Sequence, residues 1–262
     1  MQIVGYDTGD AGLLVSDGDV AGEDERDGGG DVEFVDLTPG TNLAYTLGER
    51  HCAGTIHEGG HVACDAPATP YCDAHDSVWV CARCTGDCLK DEMDCYDDHA
   101  IYLAAFAPNR FKVGVTRKWR LETRLREQGA DRGAHIRTVE NGRVARQIEA
   151  ELATADDLVD RVRVGTKRES LVGDVDEAAW AALLDRFDPI ETFDFDHGLD
   201  LSSRPVAETM ATGTVVGTKG RLLVLERDGS TYAVDVRDLV GYELEDGTAE
   251  RDLQSSLGAF DD

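Results

Sequence analysis

The chain has 262 residues, of which 41% are hydrophobic, enough for one or two compact domains, so wholesale disorder is excluded. Acidic residues outnumber basic residues by 53 to 26, which gives a formal net charge of −27. No apolar run approaches the length of a membrane span and the start lacks a signal-peptide pattern, so we expect a soluble, cytoplasmic protein.

The choice of acidic and basic residue types indicates a high-salt environment. The chain contains 34 Asp and 19 Glu residues, but only 5 Lys against 21 Arg. This composition is typical of haloarchaeal proteins. At molar salt the Debye length is only about 3 Å, so the repulsion between like charges is screened, and an acidic surface stays hydrated. A negative net charge therefore does not exclude nucleic acid as a partner.

Residues 1–50 predict short strands around one polar loop. The Gly- and Asp-rich run at residues 21–31 is typical of a long solvated loop. The β-like stretches are Gln2–Gly5, Gly12–Val15, Glu33–Val35 and Leu43–Leu47.

The seven cysteines all lie between residues 52 and 95, which predicts metal binding in a cytosolic protein. They form two quartets with one histidine: Cys52, Cys64, Cys72 and His75, and then Cys81, Cys84, Cys88 and Cys95. Closed sets of four such ligands are typical of structural Zn²⁺, so we expect two zinc ions. His51, His57, His61 and His99 are alternative ligands, and a redox Cys-x-x-Cys is the competing interpretation.

Residues 99–165 predict a β-hairpin, a helix, a strand and a second helix. The hairpin strands flank a turn at Pro108-Asn109, the first helix is Trp119–Gln128 with Trp119, Leu121 and Leu125 as apolar residues, and His135–Val139 is a strand. The second helix is expected over Arg143–Val162, with Val159 in its apolar stripe.

Residues 110–146 reverse the charge of the chain, with eleven bases against four acids. They form either a basic helix paired with acidic neighbours or a surface that faces phosphates, and we favour the second.

This order of elements resembles the GIY-YIG nuclease superfamily. Ala100-Ile101-Tyr102 stands at the position of GIY, and Lys112-Val113-Gly114 at the position of YIG, with Lys in place of its Tyr. Arg124-Leu125 is similar to the motif of the first helix, for which Arg120 is an alternative, and Glu149–Leu152 is similar to the metal-binding motif of the second. The whole chain also resembles an uncharacterised domain-of-unknown-function family that binds zinc.

The resemblance implies a metal-dependent nucleic-acid phosphodiesterase. Glu149 would hold Mg²⁺ or Mn²⁺, Arg124 the scissile phosphate, and Tyr102 would activate the nucleophile with Lys112 beside it. The expected nucleic-acid contacts are Arg117, Lys118, Arg120 and Arg126, with DNA and RNA both open. The alternative function is a non-catalytic zinc-binding module that binds nucleic acid or protein on the same scaffold.

The C-terminal third predicts a helix over Glu177–Phe187 and a β meander after Val206. The meander forms either a small barrel or a joint sheet with residues 1–50, which we favour. The predicted class is α+β, in five segments: residues 1–50, the zinc-binding residues 51–98, the GIY-YIG-like residues 99–165, a helical connector at 166–205, and residues 206–262.

Overall fold

The computed structural model describes residues 1–18, 30–76, 81, 84–155 and 158–247. The chain divides into two compact units, one formed by Met1–Asp76 with Arg204–Asp262 and the other by Ser77–Ser203. Both strands and helices are present and strands predominate, in agreement with the α+β class. Most of the Gly- and Asp-rich run lies outside the described residues.

The first unit contains one mixed sheet built from both ends of the chain. Its N-terminal strands are β1 (Gln2–Asp7), β2 (Gly12–Ser16), β3 (Gly30–Asp36), β4 (Asn42–Arg50), β5 (Thr55–His57) and β6 (Gly60–Val62). Its C-terminal strands are β11 (Val206–Ala207), β12 (Ala211–Lys219), β13 (Leu222–Arg227), β14 (Ser230–Asp235) and β15 (Tyr242–Asp246), with helix α5 (Val236–Leu239).

The described strands of this sheet follow the order β11-β14-β13-β12-β4-β15-β1-β2-β3-β6-β5. β4 pairs with both β12 and β15, so the C-terminal meander and the N-terminal strands share hydrogen bonds. Alternating residues such as Leu223 and Leu225 enter one buried apolar cluster. The β13–β14 hairpin turns at Asp228-Gly229, whose positive φ angles of 52° and 76° suit a two-residue turn.

The second unit has a smaller antiparallel sheet with helices on both faces. Its strands are β7 (His99–Phe106), β8 (Arg110–Arg117), β9 (Arg132–Val139) and β10 (Glu191–Asp194), in the order β10-β9-β7-β8. Its helices are α1 (Leu121–Gln128), α2 (Gly142–Ala155), α3 (Val164–Glu169) and α4 (Glu177–Leu184). A 3₁₀ turn, Lys118–Arg120, leads from β8 into α1.

Strand β7 is buried along its whole length because both faces of the sheet are covered. Tyr102 and its same-face neighbours contact Leu121 and Leu125 of α1. Ile101 and Leu103 face the other way, into the cluster that contains Ala145 of α2. The two helices therefore cover opposite faces.

The predicted second helix ends earlier than expected, at Ala155. Val159 is not in a helical stripe and is 43% exposed. Its backbone instead pairs with edge strand β8, since Val113 N donates to Val159 O at 3.0 Å and Val159 N to Phe111 O at 3.3 Å. At this point, hydrogen bonds to the free backbone groups of the edge strand replace the helix that the periodicity of the side chains predicts.

None of the helices in the described part of the chain combines the length and the apolar character needed to cross a membrane.

Candidate metal centre and arginine pocket

Four side chains that the sequence groups as one zinc site meet in the first unit. The ligand atoms of Cys52, Cys64, Cys72 and His75 all lie within 4.8 Å of one another. His75 Nδ1 is 3.4 Å from the Sγ atoms of both Cys52 and Cys72, and Cys64 Sγ is 4.0 Å from Cys72 Sγ. Zinc bonds of about 2.0–2.3 Å give tetrahedral edges of about 3.3–3.8 Å, so this Cys₃His cluster has the dimensions to hold one zinc ion.

Short loops bring these four ligands together. Cys52 follows β4 and its N–H donates to Ala66 O at 2.8 Å. Cys72 and His75 share one tight turn, in which His75 N donates to Cys72 O at 2.9 Å. The N–H of Cys72 also donates to Cys52 Sγ at 3.2 Å, a contact that favours a thiolate at that sulfur.

The thiols of the cluster differ in acidity. Burial opposes the ionisation of Cys72, but hydrogen bonds from the backbone at Ala74 and His75 and from neighbouring thiols lower its pKa to about 7. Burial raises the pKa of Cys52. Because zinc binds thiolates, the thiol of Cys72 is more readily prepared for metal at neutral pH than the thiol of Cys52.

Two of the alternative histidines bind the backbone around the cluster. His51 Nδ1 lies 2.8 Å from Cys64 O, and its other ring nitrogen lies 3.4 Å from a carboxylate oxygen of Glu243. His61 Nε2 lies 2.9 Å from Ala53 O. These rings orient the loops, and His75 is the histidine that reaches the three sulfurs.

The second predicted quartet has a different arrangement. Within the described residues no second group of three or more Cys, His, Asp or Glu ligand atoms comes as close as the Cys₃His cluster. Cys84 N donates to Cys81 O at 3.2 Å, which keeps these two cysteines close together. All four cysteines line a cavity of about 620 Å³ in the second unit, together with His99.

Arginine side chains form the other wall of this cavity, which we call the arginine pocket. They come from the end of β8, from the 3₁₀ turn after it and from the first turns of α1 and α2: Arg117, Arg120, Arg124, Arg143 and Arg146. Trp119 also lines the pocket, and Asp94 is an acidic side chain in the lining. The pocket thus collects 5 of the chain's 26 basic residues around one concave surface.

Carboxylates hold four of these arginines in place. Glu127 binds Arg120 at 2.7 Å and Arg124 at 3.1 Å. Asp97 binds Arg117 at 3.2 Å, and Glu149 binds Arg146 at 2.7 Å. A guanidinium has five N–H donors and a carboxylate engages at most two of them, so each arginine keeps donors for a ligand.

The cysteine-bearing loop is attached to the start of α2. Arg143 Nε donates to Gly86 O at 3.0 Å, and Gly142 N donates to Cys95 O at 2.9 Å. A side chain at Gly142 would press on His99 and Cys95, so glycine permits this close approach. The cysteine-bearing loop is therefore fixed against the helix that carries Arg143 and Arg146.

Of the four predicted catalytic residues, Arg124 alone lines the pocket. Tyr102 is 1% exposed on the face covered by α1, and its hydroxyl accepts a hydrogen bond of 2.5 Å from Gln128 Nε2. Lys112 Nζ lies 5.9 Å from the centroid of the Tyr102 ring. Arg124 lines the pocket, whereas Glu149, which is 8% exposed, reaches it only through Arg146.

The predicted nucleic-acid contacts divide into two pairs. Arg117 and Arg120 line the pocket. Arg126 binds Glu122 at 2.9 Å and lies 4.8 Å from the centroid of the Phe195 ring, outside the lining. Lys118 contributes its backbone N–H, which donates to Asp98 O at 2.8 Å. Since both Arg120 and Arg124 line the pocket, the choice between them stays open.

The sequence does not predict the exposure of Trp119 and does not single out Arg143 and Arg146. Trp119 is 72% exposed and lies in the 3₁₀ turn that precedes α1. Leu121, the first residue of the helix, is buried. Arg143 and Arg146 could have been found from their i, i+3 spacing at the start of α2.

Residues 42–193 match a family described as "Protein of unknown function (DUF2797)". The chain belongs to this family. The matched range contains every ligand of the Cys₃His cluster and every residue that lines the arginine pocket. No match was found among curated proteins, and none among solved structures.

Proposed function

We propose that this DUF2797 protein binds nucleic acid through the arginine pocket. The observation that carries the proposal is that five arginines line one cavity of about 620 Å³ in a chain of net charge −27. A planar guanidinium matches the oxygens of a phosphate with two parallel hydrogen bonds. A concave, preorganised set of arginines is therefore best explained by a ligand with several phosphates.

The ion pairs around the pocket leave part of its positive charge unpaired. Glu127 serves Arg120 and Arg124 together, which leaves this group with a positive charge. Arg143 donates to a backbone carbonyl and brings its charge to the pocket. The carboxylates fix the side chains before the ligand arrives, which reduces the entropy lost on binding.

The test is the affinity of the full chain for labelled oligonucleotides, measured by fluorescence anisotropy at several KCl concentrations. The double variant Arg120→Ala/Arg124→Ala removes two pocket arginines and should weaken binding at least tenfold. Arg110→Ala is the control, since Arg110 is an exposed arginine of β8 that does not line the pocket. Equal losses in both proteins would contradict the proposal.

Phosphodiester cleavage is the second candidate. It is supported by Glu149, the residue suggested by the GIY-YIG resemblance, which binds a pocket arginine at 2.7 Å. A divalent metal held by this carboxylate would stand beside the phosphate-binding surface and activate water. The order β7, β8, α1, β9, α2 matches the hairpin, helix, strand and helix of that resemblance.

Cleavage is tested by incubating single-stranded DNA, plasmid and RNA with the protein in molar KCl and Mg²⁺ or Mn²⁺. If the candidate is right, Glu149→Gln abolishes cleavage and Glu151→Gln, an exposed carboxylate on the same helix, retains it. Binding without metal-dependent cleavage would leave a non-catalytic nucleic-acid-binding protein.

We infer that the Cys₃His cluster holds a structural zinc ion. The four donors agree with the ligand types and dimensions of such sites, and β5 and β6 beside it have only three residues each. A second zinc at Cys81, Cys84, Cys88 and Cys95 remains a prediction. The hydrogen bond between Cys84 N and Cys81 O keeps these two cysteines together and supports the prediction, which requires the four sulfurs to close around the ion.

Zinc analysis of the purified protein tests both sites. We expect about two zinc ions per chain, and a loss of one from Cys72→Ser and of one from Cys88→Ser. Retention of all zinc by Cys72→Ser would contradict the first site. A wild-type content of one ion, unchanged in Cys88→Ser, would contradict the second.

A further inference from the structure

Trp119 is an exposed aromatic side chain at the arginine pocket. It is 72% exposed although it is the type of residue that usually buries most of its surface. It lines the same cavity as Arg117, Arg120 and Arg124. An isolated exposed apolar residue needs no explanation, but a tryptophan inside a cationic cavity points to a ligand with a flat ring.

The turn that carries Trp119 is held at both ends. Lys118 N donates to Asp98 O at 2.8 Å, and Arg120 is bound by Glu127 at 2.7 Å. The guanidinium carbon of Arg120 lies 5.9 Å from the centroid of the indole ring. The exposed ring and a phosphate-binding group therefore occupy adjacent, fixed positions.

We propose that the arginine pocket selects single-stranded nucleic acid, with Trp119 stacked on an unpaired base while the arginines bind the adjoining phosphates. This inference rests on the proposed function and names its substrate class. A duplex keeps its bases stacked on one another, so the indole could reach a base face only by unstacking the helix. In a single strand every base offers a free face.

The dimensions agree with this ligand. A cavity of about 620 Å³ lies within the range of about 300–1,000 Å³ that is usual for ligand pockets. DNA and RNA share the phosphate and the base face on which the inference depends. Separate DNA and RNA arms of the experiment distinguish them through the 2′-hydroxyl.

Phosphate contacts and base stacking differ in how they depend on salt concentration. Binding through phosphates weakens as salt rises, because bound counterions are no longer released into dilute solution. Stacking releases no counterions and persists in salt. If the protein works at the molar salt that its composition indicates, Trp119 supplies a large share of the affinity there.

The experiment measures binding of the full chain to labelled 12-mers of one sequence, as single-stranded DNA, RNA and duplex DNA. An acidic peptide is measured beside them as the ligand that is not a nucleic acid. Single strands should bind at least tenfold more tightly than the duplex or the peptide. Trp119→Ala should weaken single-strand binding about 5- to 100-fold, in line with the energy of one base–aromatic stack. Trp119→Phe should recover most of the loss.

Tyr96→Ala is the matched control, because Tyr96 is 68% exposed in the same unit and does not line the pocket. It should bind as the wild type does. Single strands should also quench the tryptophan fluorescence of the wild type, and Trp119→Phe should remove that quenching.

The outcomes separate this inference from the proposed function. Equal affinity for duplex and single strand, or wild-type binding by Trp119→Ala, would overturn the inference even where Arg120→Ala/Arg124→Ala weakens all binding. Equal binding of the acidic peptide would also overturn it. If none of the oligonucleotides binds, the proposed function fails as well.

Discussion

The Tyr102 ring leaves no room for a side chain at Gly114. The two residues are cross-strand partners in the β7–β8 pair. A Cβ atom at position 114 would overlap the ring and come within 2.5 Å of the tyrosine hydroxyl oxygen. The glycine that the GIY-YIG resemblance assigns to a motif thus has a packing role here, whatever chemistry the tyrosine performs.

Gly114→Ala should therefore lower the free energy of unfolding by about 1–3 kcal/mol, the usual effect of overpacking a core. Denaturant unfolding measures the change. Gly165→Ala is the control, since a Cβ at that helical position meets nothing within 4 Å, and its stability should stay level or rise slightly. A stable Gly114→Ala protein would show that the Tyr102 ring moves aside.

Stability should fall in mild acid because of His135. This ring on β9 is 3% exposed, with Nε2 at 3.1 Å from Arg137 O and 3.0 Å from Thr138 Oγ1. Burial lowers its pKa, Lys118 lowers it further, and Arg137 O and Glu191 partly oppose the shift. Below pH 6.5, its ordinary value, the unfolded chain binds the proton more readily than the folded chain does.

The contribution of His135 to stability is therefore complete above about pH 6.5 and decreases as the pH falls through that value. Urea unfolding between pH 7.5 and 5 should show a shallower pH dependence in His135→Gln than in the wild type. His57→Gln, which changes an exposed ring, should keep the wild-type slope. Parallel curves for all three proteins would contradict the assignment.

Single residues were predictable where chemistry restricts the residue type. Cysteine spacing grouped Cys52, Cys64, Cys72 and His75, because few side chains bind zinc, but it left four other histidines as alternative ligands. The exposure of Trp119 was not predictable, since it depends on the 3₁₀ turn that precedes α1. The clustering of Arg143 with Arg117 depends on how α2 docks, which local periodicity does not encode.

At the scale of elements, the segment after α2 protects the edge of the smaller sheet. Val159 exchanges two backbone hydrogen bonds with β8, although its side chain is 43% exposed. An uncovered edge strand would offer these groups to another chain. The segment therefore contributes through its backbone rather than through its side chain.

Val159→Pro removes the N–H that donates to Phe111 O and should destabilise the protein by about 1–3 kcal/mol, with increased aggregation. Val159→Ala keeps that N–H and should stay within about 0.5 kcal/mol of the wild type. Thermal unfolding and light scattering measure both effects. An equally stable proline variant would show that the bridge does not hold the edge.

Element types were predictable from the sequence more often than element ends. The apolar runs of β7 and β13 follow from burial, and both strands are present. The strand β10, at Glu191–Asp194, was missed because three of its four residues are exposed. The end of α2 was missed because a tertiary hydrogen-bond partner, β8, replaces the helix.

At the scale of the whole molecule, net charge is the dominant feature. A chain of 262 residues with a net charge of −27 repels itself in dilute buffer. At molar salt the Debye length is about 3 Å, and this repulsion is screened. We infer that the protein is adapted to such salt, as the Asp-rich and Lys-poor composition indicates.

The free energy of unfolding should therefore rise as KCl increases from 0.1 M to 2 M. Urea titrations at each salt concentration measure it. A variant with several exposed Asp residues of the first unit changed to Asn should depend less on KCl. Stability that is independent of salt would contradict adaptation through surface charge.

The most direct test of the arginine pocket compares two charge-conserving variants in 2 M KCl. Arg124 lines the pocket, whereas Arg132 binds Glu177 and Asp194, both at 2.6 Å, outside it. Because lysine cannot form the two parallel hydrogen bonds of a guanidinium, Arg124→Lys should weaken oligonucleotide binding at least tenfold. Arg132→Lys should stay within about twofold of the wild type, since it leaves the pocket intact. Equal effects at the two positions would show that the pocket acts only as diffuse charge, or does not bind nucleic acid.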